Sequence, residues 1–281
     1  MDMKITVDNN FFDAYYASSS EDRASIEKAA LNKKILFYPN IQLLSELLGL
    51  YDTTRSHLLQ PYSALLLTLM GNKIFNDWNV IIGTELGIIK DKNAFLDLHL
   101  TIEFKEILYK LLQGDSIGVI DEVLGWVNNY KQNMYDVCVE SRKRAQKVGL
   151  STKGVGTFEE FYQMPVVIKW KEDLTRRMFS RSDIQPSIAE IKNIVDNSKK
   201  FPYFNTYMAL ELCEHYHHTV KNEEVDFGGS YDIYQLVYTI NLDYFITEES
   251  RLKRIAKGAF GKQRKVINFK ELVAKINSKT F

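Results

Sequence analysis

Short apolar runs and helical spacing alternate along the first fifty residues of the chain. Residues 4–7 form a β-prone run, and residues 11–30 carry apolar side chains at helical spacing. Residues 34–38 form a second β-prone run, after which residues 41–50 return to helical spacing. This order of strand, helix, strand and helix predicts a parallel sheet with right-handed crossovers.

The middle of the chain, from about residue 60 to residue 220, shows one stretch of helical periodicity after another. Glycine and proline residues interrupt it at intervals, which is where helices are expected to end. The predicted helices cover residues 61–70, 92–113, 117–147, 158–179, 186–198 and 204–221. We therefore expect an all-helical insertion in this part of the chain.

The alternation of strands and helices resumes after the middle part. The pattern predicts helices over residues 231–241, 250–257 and 269–276, and strands over residues 244–246 and 266–268. Each half is too small to cover its own hydrophobic strands, so both are expected to contribute to one sheet. The predicted fold class is α/β, a three-layer α/β/α domain whose parallel sheet is built from both chain ends. Its expected parts are residues 1–58, the insertion at residues 59–222, and residues 223–281.

Cysteine content and hydropathy indicate the cellular compartment of the protein. The 281 residues include two cysteines, Cys138 and Cys213, which lie far apart and outside any CxxC pattern. This predicts neither a disulfide framework nor a zinc ribbon, and it favours a reduced, intracellular setting. The N-terminus has no apolar signal region, and no apolar run is long enough to cross a membrane. A cytoplasmic protein without a membrane partner is expected.

Charge is balanced over the whole chain but not along it. The 36 basic and 36 acidic residues give a net charge of zero, which alone argues against a nucleic-acid partner. Residues 201–250 carry nine acidic side chains and one basic one, whereas residues 251–281 carry ten basic side chains and one acidic one. Adjacent blocks of opposite sign fit an acidic metal-binding pocket beside a phosphate-binding rim. Solvated helix faces that differ in sign would give the same pattern.

Four carboxylates can converge at one edge of the predicted sheet. Asp8 directly follows the first strand, and Glu249 follows the strand predicted at residues 244–246. Glu46 lies on the helix after the second strand, and Asp232 opens a later helix. The crevice beyond the carboxyl ends of the strands is the usual ligand site of an open parallel sheet. Converging carboxylates repel one another unless a cation lies between them, and such oxygen ligands suit Mg²⁺ or Mn²⁺.

A divalent metal in such a pocket suits hydrolysis of phosphodiester bonds, because it activates water at neutral pH and stabilises charge on the phosphoryl oxygens. Each acid also has a simpler interpretation. Asp8 and Asp232 can serve as helix N-caps, and Glu249 can favour the N-terminus of the next helix. Glu46 lies between leucines, where exposure to solvent is the alternative that avoids burying an unpaired charge. Independent caps, however, have no reason to meet at one sheet edge.

The four motifs, in this order and with this predicted secondary structure, resemble those of the PIN-domain nucleases. The strand that ends in Asp8-Asn9-Asn10 is similar to the family's Asp-x-Asn motif. Glu46, within Leu-Leu-Ser-Glu-Leu-Leu, and Asp232 are similar to the family's helical acids. Thr247-Glu248-Glu249 stands where the family has a strand followed by Thr-x-Asp.

The resemblance covers residues 1–55 and 226–278 and does not extend to the middle part. The chain departs from the family pattern in two ways. Its last acid is glutamate rather than aspartate, which leaves open whether Glu248 or Glu249 binds metal. The helical insertion is also far larger than the family's usual connection.

The resemblance implies a PIN-like fold and a metal-dependent endoribonuclease that uses Mg²⁺ or Mn²⁺. RNA is the expected substrate because most proteins of the family cut RNA, and DNA is the alternative. The expected metal ligands and catalytic residues are Asp8, Glu46, Asp232 and Glu249. Asn10, Thr247 and Glu248 are expected to orient ligands or waters, although surface turns also explain Asn10 and Thr247. The basic segment is expected to hold the substrate strand through Arg251, Lys253, Arg254, Lys257, Lys262 and Arg264.

A rival interpretation belongs to a different class of protein. The PIN-like fold would persist without catalysis, in an interaction or nucleic-acid-binding protein. The helical insertion would then carry the function by binding a protein partner.

Overall fold

One parallel sheet joins the two ends of the chain. The computed structural model describes residues 2–50, 53–90, 94–96, 98–114, 120–147, 155–180, 182–226, 229–261 and 265–278. The four strands are β1 (Met3–Val7), β2 (Ile35–Phe37), β3 (Tyr244–Ile246) and β4 (Val266–Ile267). They lie in the order β2-β1-β3-β4, and every neighbouring pair is parallel. The central strands β1 and β3 come from opposite ends of the chain, and the predicted α/β class with a parallel sheet is confirmed.

The rest of the described chain is mainly helical. Helices of the N-terminal part are α1 (Asn10–Ala17), α2 (Ser20–Leu31) and α3 (Ile41–Leu48). Helices of the middle part are α4 (Leu59–Leu69), α5 (Trp78–Glu85), α6 (Leu98–Gln113), α7 (Ile120–Lys147), α8 (Phe158–Tyr162), α9 (Pro165–Phe179), α10 (Ile188–Asp196) and α11 (Pro202–Thr219). Helices of the C-terminal part are α12 (Gly229–Asp232), α13 (Ser250–Phe260) and α14 (Phe269–Ser278), and 3₁₀ helices cover Ser56–Leu58 and Ile233–Asn241. Within the described ranges, no helix combines the length and the apolar character needed to cross a membrane.

Two hydrophobic cores lie on opposite faces of the sheet. Successive side chains of a strand point to opposite faces, and Ile246 joins one core while its neighbour Phe245 joins the other. The first core packs β1 and β2 against α1, α2, α3, α4 and α14. The second core packs β3 against α5, α11 and α13. This arrangement of helices, sheet and helices is consistent with the predicted three-layer architecture.

Two predicted helices are each divided in two. Residues 11–30 form α1 and α2, because Ser19 is extended and its side chain accepts the Asp22 N–H at the start of the second helix. Residues 158–179 form α8 and α9, because Pro165 begins a new helix at the position where proline is favoured. Polar and proline residues within a periodic stretch therefore start new helices here.

Two further segments differ from the sequence prediction. The periodicity does not predict α5. Asp77 caps the N-terminus of this helix by accepting the Asn79 N–H at 2.8 Å. Residues 233–241, predicted as an α-helix, form a 3₁₀ helix instead. In a 3₁₀ helix the side chains at positions i and i+3 are eclipsed, so this change decides which side chains share a face.

The middle part of the chain is built into the α/β framework. Met70 and Phe75 form isolated parallel bridges with Phe37 and Asn40, beside the end of β2. This differs from the expected purely helical insertion, because the edge of β2 offers backbone groups that can pair with another segment. In addition, α11 packs against the 3₁₀ helix Ile233–Asn241 and against α13. The middle part therefore shares a hydrophobic core with the C-terminal part.

The position of β3 can be tested with two isoleucines. Ile246 in β3 is fully buried, whereas Ile188 at the start of α10 is 66% exposed. We expect Ile246→Ala to lower the free energy of unfolding by about 2 to 5 kcal/mol, because it leaves a cavity in the first core. The matched control Ile188→Ala should change it by no more than about 0.5 kcal/mol. Urea unfolding followed by circular dichroism measures both, and equal losses would contradict the central position of β3.

Candidate functional site

Asp8 and Glu249 lie at the same edge of the sheet. Val7 at the end of β1 pairs with Ile246 at the end of β3, so the residues that follow these strands leave the sheet together. Asp8 is 3% exposed, and Glu249 is partly buried. The register of the central strands thus brings two acids from opposite ends of the chain to one place.

Glu46 and Asp232 face this edge from helical segments. Glu46 lies on α3, which Asn40 caps by accepting the Leu43 N–H at 2.8 Å. Asp232 ends α12 and precedes the 3₁₀ helix. Together with Asp8 and Glu249 they line a cavity of about 310 Å³, which we call the acidic cavity. Its other polar lining residues are Asn9, Asn10, Ser45, Asn128, Lys131 and Gln235.

Asn10 and Thr247 connect two of the acids. Asn10 Nδ2 donates to Glu249 Oε1 at 3.0 Å and, over a longer distance of 3.4 Å, to Asp8 Oδ2. Thr247 Oγ1 donates to Asp8 Oδ2 and accepts the Glu249 N–H at 3.0 Å. The sequence analysis expects both residues to orient ligands, and each of them contacts both Asp8 and Glu249.

Glu46 is held by a residue that the sequence analysis does not single out. Gln235 Nε2 donates to Glu46 Oε1 at 2.5 Å. Gln235 follows Asp232 by three positions, so in the 3₁₀ helix the two side chains share one face. That spacing is a usable signal in the sequence, because residues three positions apart share one face of either a 3₁₀ helix or an α-helix.

The side chains of Asp232 and Glu249 do not cap the helices that follow them. Asp232 and Glu249 occupy the N-cap positions of the 3₁₀ helix and α13, yet neither side chain accepts a capping hydrogen bond. At α1 the N-cap is Asn9 rather than Asp8. Glu248, by contrast, accepts the Phe269 N–H at 2.8 Å at the start of α14. Of the two adjacent glutamates, Glu249 faces the cavity and Glu248 caps a helix.

Burial and the charges of neighbouring acids raise the pKa values of Asp8, Glu46 and Asp232. Burial is the main cause of the raised pKa of Asp8, about 7, and the charge of Glu249 acts in the same direction. Burial also raises the pKa of Asp232 to about 7, although the charge of Lys131 opposes the shift. The pKa of Glu46 is raised well above its ordinary value by burial and then by the charge of Asp232. Without a divalent cation the cavity therefore retains protons near neutral pH.

Lys131 and Asn128 reach the acidic cavity from the middle part of the chain. Both lie on α7, three positions apart and therefore on one face, and both line the cavity. The helix reaches this place because it packs against α3 and α12. Neither residue is predicted from the sequence, since no local pattern indicates which face of a long helix meets a distant pocket.

Buried oxygen acceptors in the cavity suit a hard cation. Asp8 Oδ1, Asn9 Oδ1 and Gln235 Oε1 are buried and accept no hydrogen bond within the described structure. In the part of the chain that the structure describes, no group of three or more His, Cys, Asp or Glu side chains is arranged to hold a metal. Mg²⁺ keeps several waters and needs only one or two carboxylates, so the oxygen donors of the cavity fit such an ion.

The basic segment that follows Glu249 lies mostly on another side of α13. Leu252 lines the acidic cavity, whereas the next turn lines a separate cleft of about 360 Å³, which we call the basic cleft. The cations of the basic cleft are Lys253, Arg254, Lys257 and Lys265. Lys262 and Arg264 lie outside the described residues. Of the predicted substrate-binding side chains, Lys253, Arg254 and Lys257 therefore adjoin the acidic cavity across a helix rather than lining it.

Arg251 is turned toward the interior of the protein. Its guanidinium lies 3.4 Å from the carboxylate of Glu214, which is 4% exposed. A Cβ on Gly229 would lie 2.4 Å from this guanidinium, so the glycine leaves the space that Arg251 fills. Arg251 also lowers the pKa of Asp232. It therefore acts on the acidic cavity through its charge, from within the protein.

We expect the metal-free protein to be less stable at about pH 8 than at about pH 5. The pKa values of Asp8 and Asp232 are about 7 in the folded protein, above the unfolded value of about 4. The folded state then binds more protons than the unfolded chain between these values, so stability is full below the unfolded pKa and falls as pH rises through about 7. Thermal melts in EDTA across this pH range measure the effect.

Two variants show whether these protons belong to the acidic cavity. Asp8→Asn should flatten the pH dependence, whereas Asp183→Asn, which changes an exposed aspartate, should keep that of the wild type. Saturating Mn²⁺ should oppose the loss at high pH, because the cation and the protons compete for the same oxygens. Part of the pH dependence should remain in every protein, because burial also raises the pKa of Glu211 to about 7. Identical pH profiles for wild type and Asp8→Asn would contradict the assignment.

Comparisons with known proteins give no family for this chain. It matches no protein-family model, no curated protein and no solved structure at a significant level. The likeness to PIN-domain nucleases therefore rests on the motifs of the chain itself.

Proposed function

We propose that this protein is a divalent-metal-dependent nuclease with a PIN-like site, which hydrolyses phosphodiester bonds in RNA. One observation carries the proposal. Asp8, Glu46, Asp232 and Glu249, drawn from both ends of the chain, line one cavity at the carboxyl edge of the parallel sheet. Buried acids at the usual ligand edge of such a sheet are stabilised by a proton or by a cation. A metal-dependent nuclease binds such a cation at its active site.

The side chains of the cavity would have distinct roles in this reaction. One or two of the four acids would bind Mg²⁺ or Mn²⁺ directly, with water completing the shell, and the buried oxygens of Asn9 and Gln235 that accept no hydrogen bond could serve as uncharged ligands beside them. The cation, when bound, activates water and stabilises the charge that develops on the phosphoryl oxygens. Asn10 and Thr247 keep the Asp8 and Glu249 carboxylates in fixed relative positions. No covalent enzyme intermediate is required.

RNA is the proposed substrate because of the resemblance to PIN-domain nucleases and because of the charge next to the site. The basic cleft lies on the same helix, α13, as the cavity residue Leu252. A single strand that crosses this helix would place phosphates over the basic cleft while another phosphate enters the acidic cavity. RNA and DNA oligonucleotides of one sequence, incubated with Mn²⁺ or with EDTA, decide between the two substrates.

A non-catalytic interaction protein is the second candidate, and Lys131 favours it. This cation lines the acidic cavity and lowers the pKa of Glu46 and Asp232, as in a structural ion cluster. A protein of that kind would not be stabilised by Mn²⁺. A nuclease that binds Mn²⁺ at this site would show a Tm that rises with metal concentration.

The adjacent pair of glutamates provides a test of catalysis. We expect Glu249→Gln to lower Mn²⁺-dependent cleavage of RNA by at least about 100-fold, because it removes a carboxylate from the cavity. Glu248→Gln is the matched control, since its amide oxygen can still accept the Phe269 N–H at the start of α14. Cleavage of a labelled RNA oligonucleotide is measured for both.

The two glutamate variants can be compared with the wild type only if all three proteins are folded. Circular dichroism and thermal melts show whether each variant is folded, so that a loss of cleavage is not a loss of structure. A greater loss of cleavage in Glu248→Gln than in Glu249→Gln would show that the metal ligand is Glu248 and not Glu249. Cleavage by the wild type that persists in EDTA would overturn the metal dependence itself.

The basic cleft is tested by its contribution to the salt dependence of binding. We expect the double variant Lys253→Ala, Lys257→Ala to bind single-stranded RNA more weakly at low salt. If each lysine contacts one phosphate, the slope of log K against log salt should become shallower by about 1.4 in total. The control variant Lys192→Ala, Lys199→Ala removes two exposed lysines elsewhere. Equal slopes in the two variants, measured by fluorescence anisotropy, would remove the basic cleft from the substrate path.

A further inference from the structure

The acidic cavity contains a cation that the middle part of the chain supplies. Lys131 lies on α7, and Asn128, one turn earlier on the same face, lines the same cavity. The helix is fixed at this place by packing against α3, which carries Glu46, and against α12, which carries Asp232. These two lining residues at helical spacing show that one turn of α7 forms part of the cavity wall.

The charge of Lys131 acts on the two acids that belong to the helices it contacts. It lowers the pKa of Glu46 and of Asp232, and for Asp232 it is the largest influence that favours the ionised form. The acids of the sheet edge, Asp8 and Glu249, are instead held together by Asn10 and Thr247. The cavity thus has a side held by neutral hydrogen-bond donors and a side that faces an ammonium group.

We propose that Lys131 is a built-in counter-cation of the acidic cavity, which competes with the divalent metal for Glu46 and Asp232 and so sets the metal affinity of the site. The inference rests on the proposed function, because it concerns the same metal site. A divalent cation and an ammonium group at the same carboxylates repel each other, so binding of the metal requires the lysine to withdraw. Its flexible four-carbon stem permits that movement.

This arrangement makes the middle part of the chain a determinant of metal binding. α7 carries no carboxylate among the lining residues, yet its position decides how closely the ammonium group approaches Glu46 and Asp232. Any event that shifts α7 away from α3 would favour the metal-bound site. Any event that presses it inward would favour the metal-free one.

The test compares Mn²⁺ binding to four purified full-length proteins by isothermal titration calorimetry at neutral pH. They are the wild type, Lys131→Met, Lys131→Arg and Lys143→Met. We expect Lys131→Met to bind Mn²⁺ about tenfold more tightly or better, because the competing charge is gone. Lys131→Arg keeps the charge and should stay close to the wild type. Lys143→Met changes an exposed lysine on the same helix and should not alter the affinity.

A second measurement reports on the counter-cation without any metal. In EDTA, Lys131→Met should melt at a lower temperature than Lys143→Met, because the carboxylates lose their compensating charge. Addition of Mn²⁺ should then raise the Tm of Lys131→Met more than that of the wild type. A merely structural role for Lys131 would lower stability in EDTA without tightening the binding of Mn²⁺.

The outcomes separate failure of this inference from failure of the proposed function. If the wild type binds Mn²⁺ and Lys131→Met binds it equally or more weakly, the counter-cation role is wrong. If that variant also loses affinity for single-stranded RNA, Lys131 is a phosphate contact instead. If none of the four proteins binds Mn²⁺, the nuclease proposal itself fails. Binding by Lys131→Met alone would support the inference most strongly.

Discussion

The pairing of β1 with β3 is the interaction on which the acidic cavity depends. Backbone hydrogen bonds continue the ladder past both strand ends, from Asp243 N to Lys4 O at 2.9 Å and from Asp8 N to Ile246 O at 3.1 Å. The backbone of Asp8 is therefore part of the sheet. A slip of one residue in this register would turn every side chain of β1 to the other face, and Asp8 would leave the cavity. Such a slip is strongly disfavoured, because it would take Met3, Ile5 and Val7 out of the first core and turn the exposed Lys4 toward it.

The cavity keeps groups that a purely structural interior would not retain. Buried acids beside one another destabilise the folded state unless protons, donors or cations compensate them. Compensation here is partial, since Asp8 Oδ1 and Gln235 Oε1 accept no hydrogen bond in the described structure. Arg251, which packs against Gly229, contributes positive charge near Asp232 from the interior of the protein. The carboxylate of Glu214 in turn compensates the charge of Arg251. Local conflict of this kind, in an otherwise consistent fold, is typical of sites under functional constraint.

The positions of Asp8 and Glu249 are predictable because strand ends are visible in the pattern of apolar residues. Asp8 and Glu249 each follow a short β-prone run, and parallel strands end at one edge. The choice between Glu248 and Glu249 could not be made, because both follow the same strand and only the position of the α14 N-terminus separates them. Lys131 was not predictable, since its role follows from the packing of α7 against helices that are remote in the sequence.

Some helix boundaries can be predicted from local residues, whereas the type of one helix cannot. Ser19 and Pro165 mark new helices through local chemistry that can be read in the sequence, although periodicity alone passed over both. The 3₁₀ geometry of residues 233–241 has no such local signal. The contact of Gln235 with Glu46, which lies 189 positions away in the chain, depends on tertiary packing. The part of the site that depends on tertiary packing therefore remained hidden.

The order of the strands has a consequence for synthesis on the ribosome. Lys4 and Asp243, which meet where β1 and β3 pair, are separated by 239 positions in the chain. At ordinary translation rates, on the order of 10 to 50 s pass between their synthesis. During that time β1 can pair only with β2, and its other edge is open to strands of other molecules. Contacts between such distant segments also slow folding. The nascent chain thus cannot form a complete acidic cavity until β3 and Glu249 have been made.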